Sequence, residues 1–515
     1  MLYLCREVEN IKGSTKNKLF KAAGTIALIM ALSKIFGLVR DIIIASAYGT
    51  NSDSIAFEVA SRIPVSLFDF LIGGVITVTF IPIFNDIIVN KGKKEANEFA
   101  SSFINFILTA TLIICAVGFV FSDIIIDFFA PDLSENVKVL TETLYYTLLP
   151  LTIFASLAFL SVGILQSFGE YNIPALISLV SNVTVILYLL FFNNKFGVFG
   201  LAIATLLGWA AQFLIQLPKL KKFGFKYSFS LKFNSPYLKR AFMAGLPILI
   251  GSWAQPVCTL INTRFASYIE GGRAITAFNY ANRLYVIIVG IFSFVVTGLL
   301  FPYLSKAWAK GEKEEAQNLS RGALKGLLFI ILPISAGVFV ISDTIISVIY
   351  QNGSFNESDA LLTAEALKYF AFGMPFMAIN EVLTKTFFSQ NLTRPPMIAS
   401  IAATVFNLIF VIILPDSLGI AKISLACTVS IFINAILNYI LLLKIQPIFK
   451  RPDFMQLLVS LVSSALMAFV VHLISEALSL GKYLSLIISV LSGALIYFSL
   501  LFIFSNKRIK EWLEF

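Results

Sequence analysis

Apolar runs long enough to cross a bilayer recur along the chain from Phe20 to Phe504, with short polar breaks between them. A run of roughly 20 apolar residues spans a hydrocarbon core of about 30 Å. The composition agrees, since 58% of the 515 residues are hydrophobic, 13% are charged and the mean hydropathy is +0.87. The pattern predicts an all-α polytopic membrane protein with about fourteen transmembrane helices, numbered here as spans 1 to 14. The spans lie at about 20–48, 53–89, 99–122, 138–167, 173–193, 197–218, 241–268, 273–304, 322–344, 360–390, 396–415, 420–443, 454–476 and 482–505.

The lysines and arginines are unevenly distributed between the two sets of connecting segments. When residues at the ends of the spans are counted with the adjacent loops, 27 of the 39 basic residues lie in alternate segments that include both termini, and five lie in the other set. Because cytoplasmic segments carry such an excess, we predict a multi-pass protein of the bacterial cytoplasmic (inner) membrane with both termini inside. The distribution also explains the net charge of +10 without a nucleic-acid-binding surface.

Several classes of chemistry are disfavoured by what the sequence contains. The first 19 residues are polar and basic with no cleavage site after them, so we expect a cytoplasmic tail and no removable signal peptide. The four cysteines lie far apart and His472 is the only histidine, so neither a metal centre nor a Ser/His/Asp triad is expected. The sequence has no P-loop and no Asp-x-Asp or Asp-Asp pair. We therefore expect a protein that is not an enzyme and needs no cofactor.

Seven basic residues remain inside the predicted spans. A charge at the centre of a membrane helix costs about 2.5 to 3.5 kcal/mol or more, so a fold retains one where it faces a polar cavity, pairs internally or reaches the interface. The seven are Lys34, Arg40, Arg62, Arg264, Arg283, Lys368 and Lys385.

Spans 2 and 8 repeat one another at an offset near 220 residues. Val59-Ala60-Ser61-Arg62 aligns with Tyr280-Ala281-Asn282-Arg283, and Phe80-Ile81-Pro82 aligns with Leu300-Phe301-Pro302. Six helices separate the copies, so both run in the same direction, and a parallel repeat of two six-helix lobes is predicted. Pro64 should kink span 2, whereas Tyr285 at the equivalent position of span 8 should not.

Depth counting places three arginines in one layer. At 1.5 Å per residue, Arg40, Arg62 and Arg283 lie about 12 to 15 Å below the outer ends of spans 1, 2 and 8. Asp41 is the expected counter-ion for one of them, and surplus positive charge would favour an anionic ligand, since guanidinium groups bind phosphate in pairs of hydrogen bonds. The alternative is that each arginine is neutralised internally and only locks the lobes together.

Other charged residues have structural explanations. Asp69 could pair with Lys34. Arg264, near the outer end of span 7, could reach the interface as readily as a ligand. Lys368 and Lys385 are expected to pair with Glu365 and Glu381 at helical spacing.

Five segments resemble the MurJ/MviN family of lipid II flippases, in the multidrug/oligosaccharidyl-lipid/polysaccharide exporter superfamily, and the Gly-Leu-Val-Arg-Asp string is the most specific part. The likeness extends from about Gly24 to the C-terminus. The segments are Ser33-Lys34-Ile35-Phe36-Gly37-Leu38-Val39-Arg40-Asp41, Arg62-Ile63-Pro64, Asn262-Thr263-Arg264-Phe265-Ala266-Ser267, Tyr280-Ala281-Asn282-Arg283-Leu284 and Phe301-Pro302-Tyr303-Leu304-Ser305.

The resemblance implies two six-helix lobes around a cationic cavity, with a hydrophobic groove at spans 13 and 14 for a polyprenyl tail. The corresponding divisions are a cytoplasmic tail (1–19), an N-lobe (20–222), a C-lobe (237–446), the last two helices (454–508) and a C-terminal tail (509–515). The family's substrate is an undecaprenyl-diphosphate-linked peptidoglycan precursor, moved outward by alternating access. Cell-wall synthesis or division proteins are the expected protein partners.

On the family's pattern, the substrate-binding candidates are Arg40, Asp41, Arg62 and Arg283, with Lys34 and Arg264 beside them. The gating or pairing candidates are Asp69, Asn282, Glu381 and Lys385. This sequence departs from the pattern after Pro64, where many members carry Asn and a later Arg-Arg pair, and at Asn282, where an acid often precedes the arginine. The alternative functions are a flippase for another polyprenyl-diphosphate glycan and a multidrug exporter of the same superfamily.

Overall fold

We analysed a computed structural model of the chain, which describes residues 13–72, 76–229, 235–445, 451–477 and 481–504. The predicted C-terminal tail and most of the predicted N-terminal tail lie outside these ranges. Regular secondary structure in the described ranges is helical throughout, which confirms the all-α prediction. Lipid offers no hydrogen-bond partners, so a spanning segment must satisfy its backbone groups within itself, as a helix does.

The helical segments are numbered in chain order. They are α1 (Gly13–Tyr48), α2 (Ser52–Ile72), α3 (Ile81–Lys91), α4 (Lys93–Val120), α5 (Ser122–Phe129), α6 (Glu135–Leu148), α7 (Leu151–Ser167), α8 (Asn172–Phe191), α9 (Asn193–Leu214), α10 (Leu217–Lys222), α11 (Pro236–Ser252), α12 (Ala254–Ser267), α13 (Arg273–Lys310), α14 (Lys313–Ile349), α15 (Glu357–Ala371), α16 (Met374–Ser389), α17 (Arg394–Ile413), α18 (Ile420–Leu443), α19 (Arg451–Ala477) and α20 (Lys482–Phe504).

These segments cover the predicted spans, and three spans are broken at prolines. Span 4 divides at Pro150, span 7 divides just before Pro256, and span 10 divides just before Pro375. Proline removes a backbone donor and its ring clashes with the preceding turn, so a helix ends or bends there. Ten helices of the described residues are long and apolar enough to cross a membrane, so this is a multi-pass membrane protein.

Span 2 carries Pro64 inside one continuous helix. The helix α2 continues through Pro64, and the Pro64 carbonyl accepts a hydrogen bond from the Thr152 hydroxyl at 3.3 Å. The kink expected at Pro64 stays a prediction, and a π-helical turn (Ile76–Phe80) precedes α3. Helix α7 passes close to this turn, because a Cβ on Gly163 would lie 2.8 Å from the Ile76 side chain.

The described chain divides into two compact units. Unit 1 contains α1 as far as Ile44, together with Ala60–Ile125 and Leu140–Ile250. Unit 2 contains Gly251 onwards and two segments from the first half of the sequence, Ala45–Val59 and Ile126–Val139. Both of these segments belong to the range that the sequence assigned to the N-lobe. The lobes themselves stay a prediction.

Helix α14 is the centre of unit 2, with α13, α15, α16, α19 and α20 packed around it. The last two helices bury Met467, Val471 and Tyr497 against Phe329 and Ile341 of α14. The Tyr497 hydroxyl also donates to the Phe329 carbonyl at 2.8 Å. Spans 13 and 14 are therefore firmly packed on α14.

A buried ion pair fixes the start of α19 to α14. The Nε and Nη2 atoms of Arg321 donate to the two oxygens of the fully buried Asp453 carboxylate, at 2.5 and 2.6 Å. The Lys325 ammonium lies 3.4 Å from the same carboxylate. Bidentate pairing of this kind adds directional specificity to the charge attraction.

Candidate functional site

Arg40 is held in place by the acid that follows it in the sequence. Its Nε and Nη2 atoms donate to Asp41 Oδ1 at 3.1 and 2.8 Å. The Asp41 side chain is 3% exposed and that of Arg40 is 24% exposed. The predicted counter-ion role of Asp41 is confirmed, and the carboxylate is the more deeply buried partner, whereas the Arg40 side chain is partly exposed.

Asn182 of α8 completes this arrangement, and sequence reasoning missed it. Its Oδ1 accepts from Arg40 Nη1 at 3.0 Å, and its Nδ2 donates to the Ser33 carbonyl at 3.0 Å. A Cβ on Gly37 would lie 3.4 Å from Asn182 Nδ2, so the glycine lets α8 approach α1 closely. The amide thus connects two turns of α1 and orients the guanidinium. An Asn inside an apolar run was the only signal available.

Arg62 and Asp69 lie on α2 in the same unit as Arg40. Both are half-buried, and they lie close enough for their charges to interact. The charge that acts on Asp69 is that of Arg62, whereas we expected Lys34. Lys34, Arg40 and Arg62 thus belong to one unit, which also contains the acids Asp41 and Asp69.

Arg283 and Asn282 are half-buried on α13, in unit 2. The neighbouring Tyr285 is buried and donates to the Gly373 carbonyl at the break between α15 and α16, at 3.4 Å. The side chain that replaces Pro64 in this copy of the repeat therefore anchors α13. The common layer of Arg40, Arg62 and Arg283 stays a prediction, since its members belong to different units.

Arg264 is bound at the end of α5. Its Nη1 donates to the Phe128 carbonyl at 2.7 Å, and its guanidinium lies 5.5 Å from the centre of the Phe128 ring. Carbonyls at a helix C-terminus carry partial negative charge, so this contact compensates the cation. A role in substrate binding stays a prediction.

Lys385 does not form the expected pair. Among the described residues no ion pair joins it to Glu381, and its ammonium lies 5.8 Å from the centre of the Phe301 ring. Lys368 lies 5.2 Å from the centre of the Phe339 ring and also interacts with the charge of Glu365. Aromatic faces attract cations in a low-dielectric environment, which is why these lysines do not depend on a carboxylate alone.

A second polar site, which we call the Asp359 cluster, consists of Thr50, Arg273, Ser358 and Asp359. Asp359 is 3% exposed, and its Oδ1 accepts from Arg273 Nη2 at 2.7 Å and from the Thr50 hydroxyl. Arg273 donates further to Thr50 Oγ1 at 3.0 Å and to Ser358 Oγ at 2.8 Å. The cluster therefore ties the short connection between α1 and α2 to the starts of α13 and α15.

Two backbone segments beside this cluster, at residues 46–49 and 353–354, are also in direct contact. The Ser354 amide donates to the Ser46 carbonyl at 2.7 Å. Gly49 and Gly353 both have positive φ, and a Cβ on either would collide with the opposite backbone, at Ser354 and Ser46 respectively. Nearby, Asn279 donates to Glu58 at 3.0 Å. Sequence reasoning gave no indication of this contact, because it joins residues far apart in the chain.

The family model for the lipid II flippase MurJ matches residues 44–492. The chain belongs to the MurJ family. A probable lipid II flippase MurJ of Buchnera aphidicola subsp. Schizaphis graminum is 29% identical, over 88% of each chain. The lipid II flippase MurJ of Burkholderia cenocepacia is 25% identical, over 87% of this chain and 88% of the relative.

Solved structures agree with the MurJ assignment. A lipid II flippase MurJ in an inward closed conformation superposes with a TM-score of 0.81 at 25% identity, covering 94% of this chain and 99% of the other. An inward-facing multidrug resistance transporter of the MATE family gives a TM-score of 0.66 at 16% identity, over 85% of this chain and 98% of its own, and shares the fold.

Proposed function

We propose that this chain moves lipid II, an undecaprenyl-diphosphate-linked peptidoglycan precursor, from the inner to the outer leaflet of the cytoplasmic membrane for cell-wall synthesis. The observation that carries the proposal is the MurJ family match over residues 44–492. The excess of basic residues in the segments joined to the termini supports an orientation with both termini in the cytoplasm. We further propose that the chain carries out no covalent chemistry on its substrate.

Arg40 is the residue that we propose engages the diphosphate. Asn182 and Asp41 hold its guanidinium through three donated hydrogen bonds, so little side-chain freedom remains to be lost when an anion binds. A diphosphate oxygen can take the place of Asp41 Oδ1 on the Nη2 side, because both are anionic acceptors of the same fork. Lys34 and Arg62, in the same unit, are proposed to add positive charge for the same ligand. Arg283 and Arg264 are proposed as further substrate-binding residues, with Arg264 nearer the outer end of its span.

Alternating access requires that the two ends of the transport path open in turn, and we propose that the Asp359 cluster is the contact that closes the outer end. Positive-inside topology puts Thr50, Arg273 and Asp359 on the outer side. The pairing of a buried carboxylate with an arginine and a hydroxyl is strong enough to hold a closed state, yet polar enough to be replaced by water on opening.

Complementation tests this function. A bacterium depleted of its own flippase is given the parent chain, Arg40→Ala, or the control Arg240→Ala, whose exposed arginine lies outside the spans and pairs with Asp86. We expect rescue by the parent and the control and failure of Arg40→Ala at equal membrane expression. Full rescue by Arg40→Ala would refute the role of Arg40, and failure of the parent would refute the peptidoglycan substrate.

Reconstitution distinguishes the alternative substrates. The purified chain in vesicles is supplied with lipid II, with another polyprenyl-diphosphate glycan, or with a cationic drug, and outer-leaflet appearance is measured. We expect faster translocation of lipid II than of either competitor. Preferential movement of the drug would favour an exporter and would contradict a cationic binding site.

A further inference from the structure

Two thiols from distant parts of the sequence meet where α12 packs on α18. The two helices that carry Cys258 and Cys427 are in contact. The Asn262 amide donates to both sulfurs, at 3.5 Å for Cys258 and 3.1 Å for Cys427. Asn407 of α17 lies 3.6 Å from the Cys427 sulfur through its own Nδ2. The four cysteines lie far apart in the sequence, but the fold brings two of them together with amide side chains of α12 and α17.

The amides at this site are turned toward the sulfurs. Asn262 is 5% exposed and Asn407 is fully buried, and the Oδ1 atom of each has no hydrogen-bond partner among the described residues. A buried amide oxygen without a hydrogen-bond partner is destabilising. The amide N–H groups therefore donate to the sulfurs, while the amide oxygens have no hydrogen-bond partner among the described residues. N–H donors directed at sulfur stabilise negative charge on a thiolate.

Cys258 and Cys427 are each partly exposed as whole residues, in contrast to the two amides that surround them. Both lie on spanning helices, so the medium that meets them is the lipid phase or a cavity between helices. An oxidant that reaches them must be able to dissolve in the membrane.

We propose that Cys258 and Cys427 form a redox modification site that a lipid-soluble quinone converts into a disulfide. Each thiol gives up one hydrogen, the two sulfurs form one S–S bond, and the two electrons and two protons reduce the quinone to its hydroquinone. The reaction begins from a thiolate, which the shared Asn262 donor favours. The product links α12 covalently to α18, on the outer side of the break in span 7 at Trp253.

Intact mass and thiol alkylation test the site without any transport assay. Cys5 and Cys115 are replaced by serine, so that Cys258 and Cys427 are the only thiols. The purified protein in lipid nanodiscs is treated with a short-chain quinone whose ring positions are all substituted, which prevents addition of a thiol to the ring. We expect loss of two hydrogen masses, loss of both alkylatable thiols after denaturation, and recovery of both with a phosphine reductant.

The matched controls are Cys258→Ser and Cys427→Ser in the same background. Each should keep its one remaining thiol alkylatable after the same treatment. A parent that retains both free thiols, or that gains oxygen instead of losing hydrogen, would overturn the proposal. The wild-type chain provides a second measurement, because the disulfide-linked peptide containing residues 258 and 427 should appear in a digest made without reductant, and its absence after quinone treatment would also overturn the site.

Discussion

Replacement of Asp359 by asparagine tests the proposed closure of the outer end. Its carboxylate accepts hydrogen bonds from Arg273 Nη2 at 2.7 Å, from the Thr50 hydroxyl, and from the backbone N–H of Asn356 at 3.1 Å. Asparagine has nearly the same shape, but it loses the charge and presents an NH2 group to one of these donors.

The free energy that Asp359→Asn removes from the closed state can be estimated from the burial of the pair. Removing one partner of a fully buried ion pair costs about 3 to 5 kcal/mol, and a hydrogen bond to a charged group contributes about 1.5 to 3 kcal/mol. The Asp359 side chain is 4% exposed but that of Arg273 is 32% exposed, so part of the arginine charge remains hydrated. We therefore use about 2 kcal/mol, which shifts a closed-to-open equilibrium about 30-fold.

The assay measures exposure of a buried reporter. Ala56, which is 0% exposed, is replaced by cysteine in a chain with its four native cysteines changed to serine, and its reaction with a membrane-impermeant maleimide is followed. We expect labelling about 30-fold faster in Asp359→Asn than in the parent, provided that opening is rapid and rare.

Glu357→Gln is the matched control, since Glu357 is an exposed acid in the same first turn of α15. Its labelling rate should equal that of the parent. Equal rates for Asp359→Asn and the parent, with both proteins folded, would refute the reasoning. An equal increase in the control would instead show that the start of α15 had simply loosened.

Three further predictions concern other contacts. Asn182→Ala should reduce lipid II translocation about tenfold by releasing Arg40, with Asn182→Asp as the comparison that keeps an acceptor; unchanged rates would contradict a positioning role. Asp453→Asn should lower the thermal unfolding temperature by leaving Arg321 and Lys325 without their buried counter-ion, whereas the exposed Asp86→Asn should not. Burial alone would raise the pKa of Glu170, but Lys219 and the backbone amides of Ile173 and Asn172 hold that pKa below its usual value. The stability that the ionised Glu170 contributes to the fold should therefore be lost on acidification below about pH 4.5. In thermal scans at stepped pH, Glu170→Gln should remove this pH-dependent loss of stability.

The sequence was sufficient for the fold because lipid imposes one solution on each apolar run. Backbone groups in hydrocarbon must be satisfied locally, so length and hydropathy already determine where helices form. The pairing of Arg40 with Asp41 was equally predictable, since the two are adjacent in the chain. The π-helical turn at Ile76–Phe80 was not predictable, because none of its five residues is a proline or a glycine.

Contacts between distant segments could not be predicted from one sequence. Asn182 meets Arg40 across 142 positions, and Thr50 meets Asp359 across 309. Neither partner has a periodicity or a neighbouring residue that indicates the other. The pairing of Lys385 was mispredicted for a related reason, because helical spacing suggested Glu381 while the fold supplied the Phe301 ring from another helix.

The neutralised state of Arg40 changes how its role should be understood. A free guanidinium in a membrane would bind any anion and release it slowly, whereas in the role proposed above an arginine already paired with Asp41 would exchange one carboxylate for one phosphate. The net free energy of binding is then the difference between two similar interactions, so the diphosphate can be bound specifically without being bound tightly. A transporter needs this property at the point where it must both capture and release a diphosphate. On this reasoning Asp41→Asn should tighten binding and slow release, whereas Arg40→Ala should abolish capture.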